Sequence, residues 1–251
     1  MRTINPFSFA EYQEIIERLR KTTTIIDYSE VSSDLEEYCV IRHDVEFSLE
    51  RAYNLALFEK KQLDLTSSYL FQLRNNCYNL CSDTNINTLY KIKSLGHNIG
   101  LHLHFGLMND QQEVNDYVLQ EAELFQRLTG LKIDRYSYHR PPSSVLMKYF
   151  KADNLINCYN EEFFHYYDKP FQDLPVKYYT DSRNCWQHGH PIDNTAKKVQ
   201  LLTHPFSWTE TGFNNTDNFT QLMQEKNLLM ATSMNKETCK FPASLLKHYS
   251  L

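Results

Sequence analysis

The sequence predicts an α/β protein built on a parallel sheet with helical crossovers, and three observations carry that expectation. Apolar, β-prone runs alternate with amphipathic helical stretches along most of the chain. Four of these runs end in polar tips: Asp44 with Glu46, His102 with His104, His139 with Arg140, and His204. Catalytic groups in parallel α/β folds gather at the carboxyl ends of strands, so the four tips predict one shared site at the mouth of a barrel.

The elements follow in order. Ser8-Phe9-Ala10-Glu11 has the capping-box pattern, with Phe7 placed to staple onto Tyr12. A helix over about Phe9–Arg20 turns Tyr12, Ile15, Ile16 and Leu19 to one face. Tyr38–Glu46 begins as a buried parallel strand and turns acidic, with Asp44 and Glu46 two apart and so on one side. Ser48 caps a helix that ends near Lys61. Thr66–Leu73 is a second strand, Asp83–Leu95 a helix closed by Gly96, and Asn98–His104 a third strand. Gln111–Leu128 is a long amphipathic helix with Gly130 past its end. Tyr136–His139, a helix over Pro142–Phe150, and Leu155–Cys158 continue the alternation. Residues 159–198 lose periodicity and read as long loops with one or two short strands, rich in Tyr, Phe, His and Asn. Val199–His204 is a late strand, and Thr216 caps a last helix through Leu229. Residues 1–37 form a helical lead-in and residues 38–251 a single barrel domain, with no internal repeat or linker.

Composition removes several classes. The 251 residues carry only 6 glycines, and neither a G-x-G-x-x-G nor a P-loop pattern occurs, which argues against a glycine-rich nucleotide fold. A net charge of -5 without a basic run argues against nucleic acid. No apolar run is long enough to span a bilayer, and the start lacks a basic-then-apolar leader, so a cytoplasmic protein is expected. The 6 cysteines are scattered, which reads as free thiols rather than a disulfide framework or a zinc knuckle.

His102 and His104 face the same way if both lie in a strand, and two histidines with a carboxylate form a usual site for zinc or a related divalent ion. Tyr159, Phe163, Phe164, Tyr166, Tyr167, Tyr178, Tyr179 and Trp186 offer either flat faces for sugar rings or packing for the loops.

In order along the chain stand Arg42-His43-Asp44-Val45-Glu46, Gly96-His97-Asn98-Ile99-Gly100-Leu101-His102, Tyr138-His139-Arg140-Pro141-Pro142, Asp181 to Trp186, and Leu201-Leu202-Thr203-His204-Pro205. This ordered set resembles the polysaccharide deacetylases of carbohydrate esterase family four over roughly residues 38–208. The resemblance implies a distorted (β/α) barrel with fewer than eight regular units. It also implies metal-dependent removal of acetyl or formyl groups from amino sugars. It assigns Asp44 as general base, His204 as general acid, Arg140 as the residue that orients the base, and Asp181 as support for His204. It assigns Glu46 and His102 to the metal, with His104 substituting for a second histidine whose usual position here holds Gly106. It places Trp186 and Pro141 on the substrate side; the residues themselves add Tyr179, as an aromatic face, and Arg183, as an anion partner in a recognition loop. Glu46 stands where the family usually has aspartate, and the spacing from Asp181 to Trp186 is looser than usual. The substrate implied is an acylated amino sugar; the expected cytoplasmic location and Arg183 extend the expectation to a carrier-linked saccharide in surface polysaccharide biosynthesis. The alternatives are an inactive sugar-binding protein on the same barrel and a hydrolase of a non-sugar amide.

Overall fold

The computed structural model describes residues 5–104, 110–165, 175–238 and 241–249. Tyr38–Val45 forms strand β1, buried along its whole length because it lies in the middle of the sheet. It is joined by β2 (Ser68–Phe71), β3 (Asn98–His104), β4 (Arg135–His139), β5 (Ile156–Asn157), β6 (Lys177–Thr180) and β7 (Lys198–Thr203). The seven strands form one sheet in the order β5-β4-β3-β2-β1-β7-β6, every pairing parallel. The sheet curls into a half-barrel, which is the expected distorted (β/α) barrel with fewer than eight units.

Helices cover the outside. They are α1 (Phe9–Leu19), α2 (Leu49–Gln62), α3 (Asp83–Ser94), α4 (Gln111–Thr129), α5 (Ser143–Leu146), α6 (Asn215–Glu237) and α7 (Ala243–Tyr249). Ser8, Ser48, Ser82, Asp110 and Asn214 each accept a backbone N–H at a helix start, satisfying a donor that the helix cannot pair internally. The last long helix is therefore capped by Asn214, not Thr216, and runs past Leu229 to Glu237. The helix expected over Pro142–Phe150 contracts to α5, and Tyr149 sits at φ +47°, a left-handed position that a helix interior does not hold. No described helix is long and apolar enough to cross a membrane. The five described cysteines are all free; Cys239, like Tyr166 and Tyr167, lies outside the described residues.

Alternation along β1 sorts its side chains. Cys39 and Ile41 face outward and pack with Tyr12, Ile15, Ile16 and Leu19 of α1. Each such large side chain, fully buried, contributes about 1.5–3 kcal/mol of apolar transfer. Phe7, which the sequence stapled to Tyr12, lies edge-on against Trp208 at 5.3 Å, beside Tyr12 in the same cluster. Val40 faces inward, with Tyr28, Leu70, Cys158 and Phe163 filling the barrel floor.

Two polar networks pin this frame. Behind the sheet, the buried Glu59 carboxylate accepts hydrogen bonds from Tyr12 Oη (2.5 Å), His43 Nε2 (3.0 Å), Ser67 Oγ (2.7 Å) and Tyr69 Oη (2.8 Å). His43 Nδ1 also meets Thr203 Oγ1 at 2.7 Å, tying β1 to β7 just below their tips. At the opposite end of the strands, Asp27 of the lead-in accepts from Arg135 Nη2 (3.0 Å) and Asn98 Nδ2 (2.8 Å), while Arg135 Nη1 also donates to Ser68 Oγ (2.7 Å).

Candidate active site

β1 points Arg42, Asp44 and then Glu46 inward, in ascending layers toward the carboxyl ends of the strands. β3 brings His102, β4 brings Ser137 and His139, the turn after β6 brings Asp181, and the turn after β7 brings His204. The tips that looked separate along the chain thus meet at one mouth.

Glu46, His102 and His139 form the described group with the chemistry and spacing of a metal site. His139 Nδ1 lies 2.9 Å from Glu46 Oε1, His102 Nε2 lies 3.5 Å from the same oxygen, and the two ring nitrogens are 3.2 Å apart. A tetrahedral zinc with bonds near 2.0–2.1 Å needs ligand atoms roughly 3.3 Å apart, so this triangle of one oxygen and two nitrogens fits such an ion. Ser137 Oγ donates to Asp44 Oδ1 (3.2 Å) and so accepts from His102 Nδ1 (2.8 Å). With Nδ1 carrying that proton, His102 Nε2 is left to give its lone pair to a cation or to hold a second proton toward Glu46. Burial opposes ionisation of Glu46, but hydrogen bonds from His102 and His139 and the charge of His204 hold its carboxyl well below the ordinary carboxylate range.

The third residue of the group with metal-site spacing is His139, not His104. A strand advances about 6.6 Å over two residues, so His104 stands one repeat beyond His102, at the exposed end of β3. Its ring packs edge-on against His139, with centroids 4.6 Å apart. Gly106, the position of the family's usual second histidine, lies outside the described residues.

His204 is fixed by Asp181. The Asp181 carboxylate accepts from His204 Nδ1 (2.6 Å), from the His204 backbone N–H (3.0 Å) and from Trp208 Nε1 (2.8 Å). Burial alone would push the imidazole pKa down. The charge and hydrogen bond of Asp181, followed by the charges of Glu46 and Asp44, outweigh it and raise His204 to about 9. Its free Nε2 faces the triad, 3.8 Å from Glu46 Oε1.

Asp44 is 1% exposed and lies 3.5 Å from His102 Nδ1. Its arginine neighbour is Arg42, with Nη2 3.5 Å from Asp44 Oδ2. Arg140 makes no ion pair with Asp44: it follows β4 at φ +51° and is exposed. Pro141 follows, half-buried beside the mouth. Tyr179 faces outward, with its hydroxyl 3.0 Å from Asn194 Oδ1, whereas its neighbour Tyr178 faces the barrel interior. Trp186 packs in the same outer cluster, 6.2 Å from Trp208, and so lies behind Asp181 rather than walling the mouth. Arg183 is exposed at φ +62°. Tyr159, Phe163 and Phe164 are buried, which favours the packing role for the described part of that aromatic segment. Sequence reasoning passed over Ser137, His139 as a ligand, Trp208, and the aromatic pair Phe47–Phe206, whose rings meet at 4.6 Å beside His204. The period-two pattern Ser137-x-His139 was the available signal for the first two.

No family model matches the sequence, and neither does any curated protein. Among solved structures, the chain is similar to the chitin deacetylase of the fungal pathogen Colletotrichum lindemuthianum, at 16% identity, with a TM-score of 0.39 over 75% of this chain and 81% of that one. It is also similar to a family 4 acetyl xylan esterase from Clostridium thermocellum in complex with a cobalt ion, at 12% identity, with a TM-score of 0.39 over 66% and 73%. A carbohydrate esterase family four pseudoenzyme from Bacillus anthracis gives 10% identity and a TM-score of 0.38 over 85% and 76%.

Proposed function

We propose that this protein is a metal-dependent deacylase that hydrolyses the N-acyl amide of an amino sugar during surface polysaccharide assembly. The observation that carries this reading is the convergence of Glu46, His102 and His139, within 4.8 Å of one another, on Asp44 and on the His204–Asp181 pair. The ordered motifs of the sequence, which resemble those of polysaccharide deacetylases, support the same reading.

Glu46, His102 and His139 would hold the ion. A divalent metal, with zinc the best match to two imidazoles and a carboxylate, would polarise an amide carbonyl and lower the pKa of water toward about 7. Asp44 accepts the proton of the attacking water, with Ser137 on β4 holding the carboxylate from the side. His204 holds its proton on Nε2 because Asp181 holds Nδ1, and it gives that proton to the departing amine. Phe47 and Phe206 provide an apolar face for a sugar ring beside His204. The substrate class extends to sugars on a nucleotide, phosphate or lipid carrier, for which exposed Arg183 is the anion partner on offer.

The test is metal analysis of protein purified without chelator, followed by mass spectrometry of N-acylated amino sugars, free and carrier-linked. The expected result is about one divalent ion per chain and loss of an acetyl or formyl mass. Asp44→Asn should cut turnover roughly a hundred- to ten-thousand-fold while the protein stays folded. A wild-type protein that binds no divalent ion at micromolar concentration would favour the sugar-binding alternative instead.

A further inference from the structure

Arg42 is the inward-facing residue one layer below Asp44 on β1. Its side chain is fully buried, with the guanidinium carbon 4.3 Å above the ring centroid of Tyr159. None of its three guanidinium nitrogens makes a hydrogen bond among the described residues. Arginine does not shed its proton inside a protein, so the barrel interior carries a fixed positive charge at this level. A buried cation without hydrogen bonds is costly, and an apolar side chain of similar volume would fill the space more cheaply. Its one ion pair is with Asp44, at 3.5 Å. Asp44 is in turn gripped from the side by Ser137 and approached by His102. Arg140 is exposed and makes no ion pair with Asp44. A substrate anion is excluded as the partner of Arg42, because the guanidinium is sealed beneath the Asp44 carboxylate.

We infer that Arg42 is the positioning residue for Asp44, fixing the carboxylate from below so that it addresses the site with a set orientation. The inference rests on the function proposed above, in which Asp44 takes the proton of the attacking water. It assigns a barrel-floor cation to a task that the sequence resemblance gave to Arg140.

The experiment compares Arg42→Gln, Arg42→Lys and Arg140→Ala with wild type, and repeats Arg42→Gln and Arg42→Lys in an Asp44→Asn background. It reads kcat, KM, zinc affinity by calorimetry and thermal midpoint. Arg42→Gln should lower kcat by at least about tenfold while KM and zinc affinity stay within about twofold, the split expected when an interaction matters only in the transition state. Arg42→Lys, which keeps the charge and loses the fork, should recover part of that loss. In the Asp44→Asn background the same changes should cost nothing further, because the residue acts through the carboxylate. If Arg42→Gln does not fold, Arg42→Lys carries the test alone, with a several-fold kcat loss expected that vanishes in Asp44→Asn. Unchanged kcat in a folded Arg42 variant, an equal loss in both backgrounds, or a kcat loss confined to Arg140→Ala would overturn the inference while leaving the deacylase reading intact. A wild-type protein that hydrolyses no acylated amino sugar would overturn both.

Discussion

His204 shows how one carboxylate sets the chemistry of a neighbour. Asp181 accepts from its side chain and its backbone, and Trp208 holds the second oxygen in place. The pKa of about 9 lies above the ordinary histidine value of 6.5, so the protonated ring stabilises the folded state. That stabilisation is fully present below about pH 6.5 and is lost as pH rises through about 9. Thermal midpoints of the metal-free protein should fall over this window, and Asp181→Asn should flatten the fall; equal slopes in the two proteins would refute the assignment. The proposed metal ligands admit a similarly direct comparison. His102→Ala and His139→Ala should each lower zinc affinity at least ten- to a hundredfold, since losing even a group that only hydrogen-bonds a metal ligand costs that much. His104→Ala, which removes only an edge-on ring contact, should stay within a few-fold of wild type in calorimetric titration.

Strand β1 does two jobs with one period. Its inward positions build the site through Arg42, Asp44 and Glu46, while His43 faces outward to bond Glu59 and Thr203. The site therefore stands on a strand clamped from both faces. Strand β3 shows a tighter constraint at Gly100. A Cβ there would lie 2.3 Å from Leu70 Cδ2 and 2.7 Å from the Arg135 carbonyl oxygen, and backbone cannot step aside as a flexible side chain can. Gly100→Ala should destabilise by about 1–3 kcal/mol, as overpacking does, measured as a drop in the urea midpoint at constant m. Because β3 carries His102, zinc affinity should fall in the same variant. A fully stable Gly100→Ala protein would show that β2 and β4 can spread at this level.

The two buried networks tie distant parts of the chain into one cooperative unit. Asp27 joins the lead-in to Asn98 and Arg135, and through Arg135 to Ser68, so residues 5–37 share the fold's stability with the barrel. Asp27→Ala leaves Arg135 paired with the Asp134 carboxylate, which accepts from Nε (2.7 Å) and Nη2 (2.9 Å), so it should cost about 1–3 kcal/mol, the usual penalty for a lost partner of a buried polar group, read by chemical denaturation. Behind the sheet, burial would raise the Glu59 pKa, but attraction and hydrogen bonding from His43 hold it below its ordinary value of 4.5. Burial holds His97 below its ordinary 6.5. Both depressions have the same sign: the stability they supply is present at neutral pH and is lost as pH falls, first below about 6.5 through His97 and then below about 4.5 through Glu59. Acid unfolding should therefore begin near pH 6 and steepen below 4.5. Glu59→Gln, which cannot accept four hydrogen bonds, should lower stability at pH 7 and weaken the steeper limb.

Local sequence was enough for the strand–helix alternation, the helix caps Ser8 and Ser48, and the placing of Asp44, Glu46, His102 and His204 at strand ends. Those features depend on period, capping chemistry and polar groups at strand ends, all of which act within a few residues. Register and direction were settled only by the tertiary structure. Alternation within β6 sends Tyr179 outward and Tyr178 inward, and nothing local says which face is the barrel. Arg140 leaves β4 in a left-handed conformation and is exposed, and Arg42, two residues before Asp44 on β1, is the arginine paired with Asp44. Parallel pairing of β3 with β4 brings His139 to within 3.2 Å of His102 across 37 residues of sequence. That contact is set by lateral strand spacing rather than by any spacing along the chain, and sequence periodicity carries no information about it.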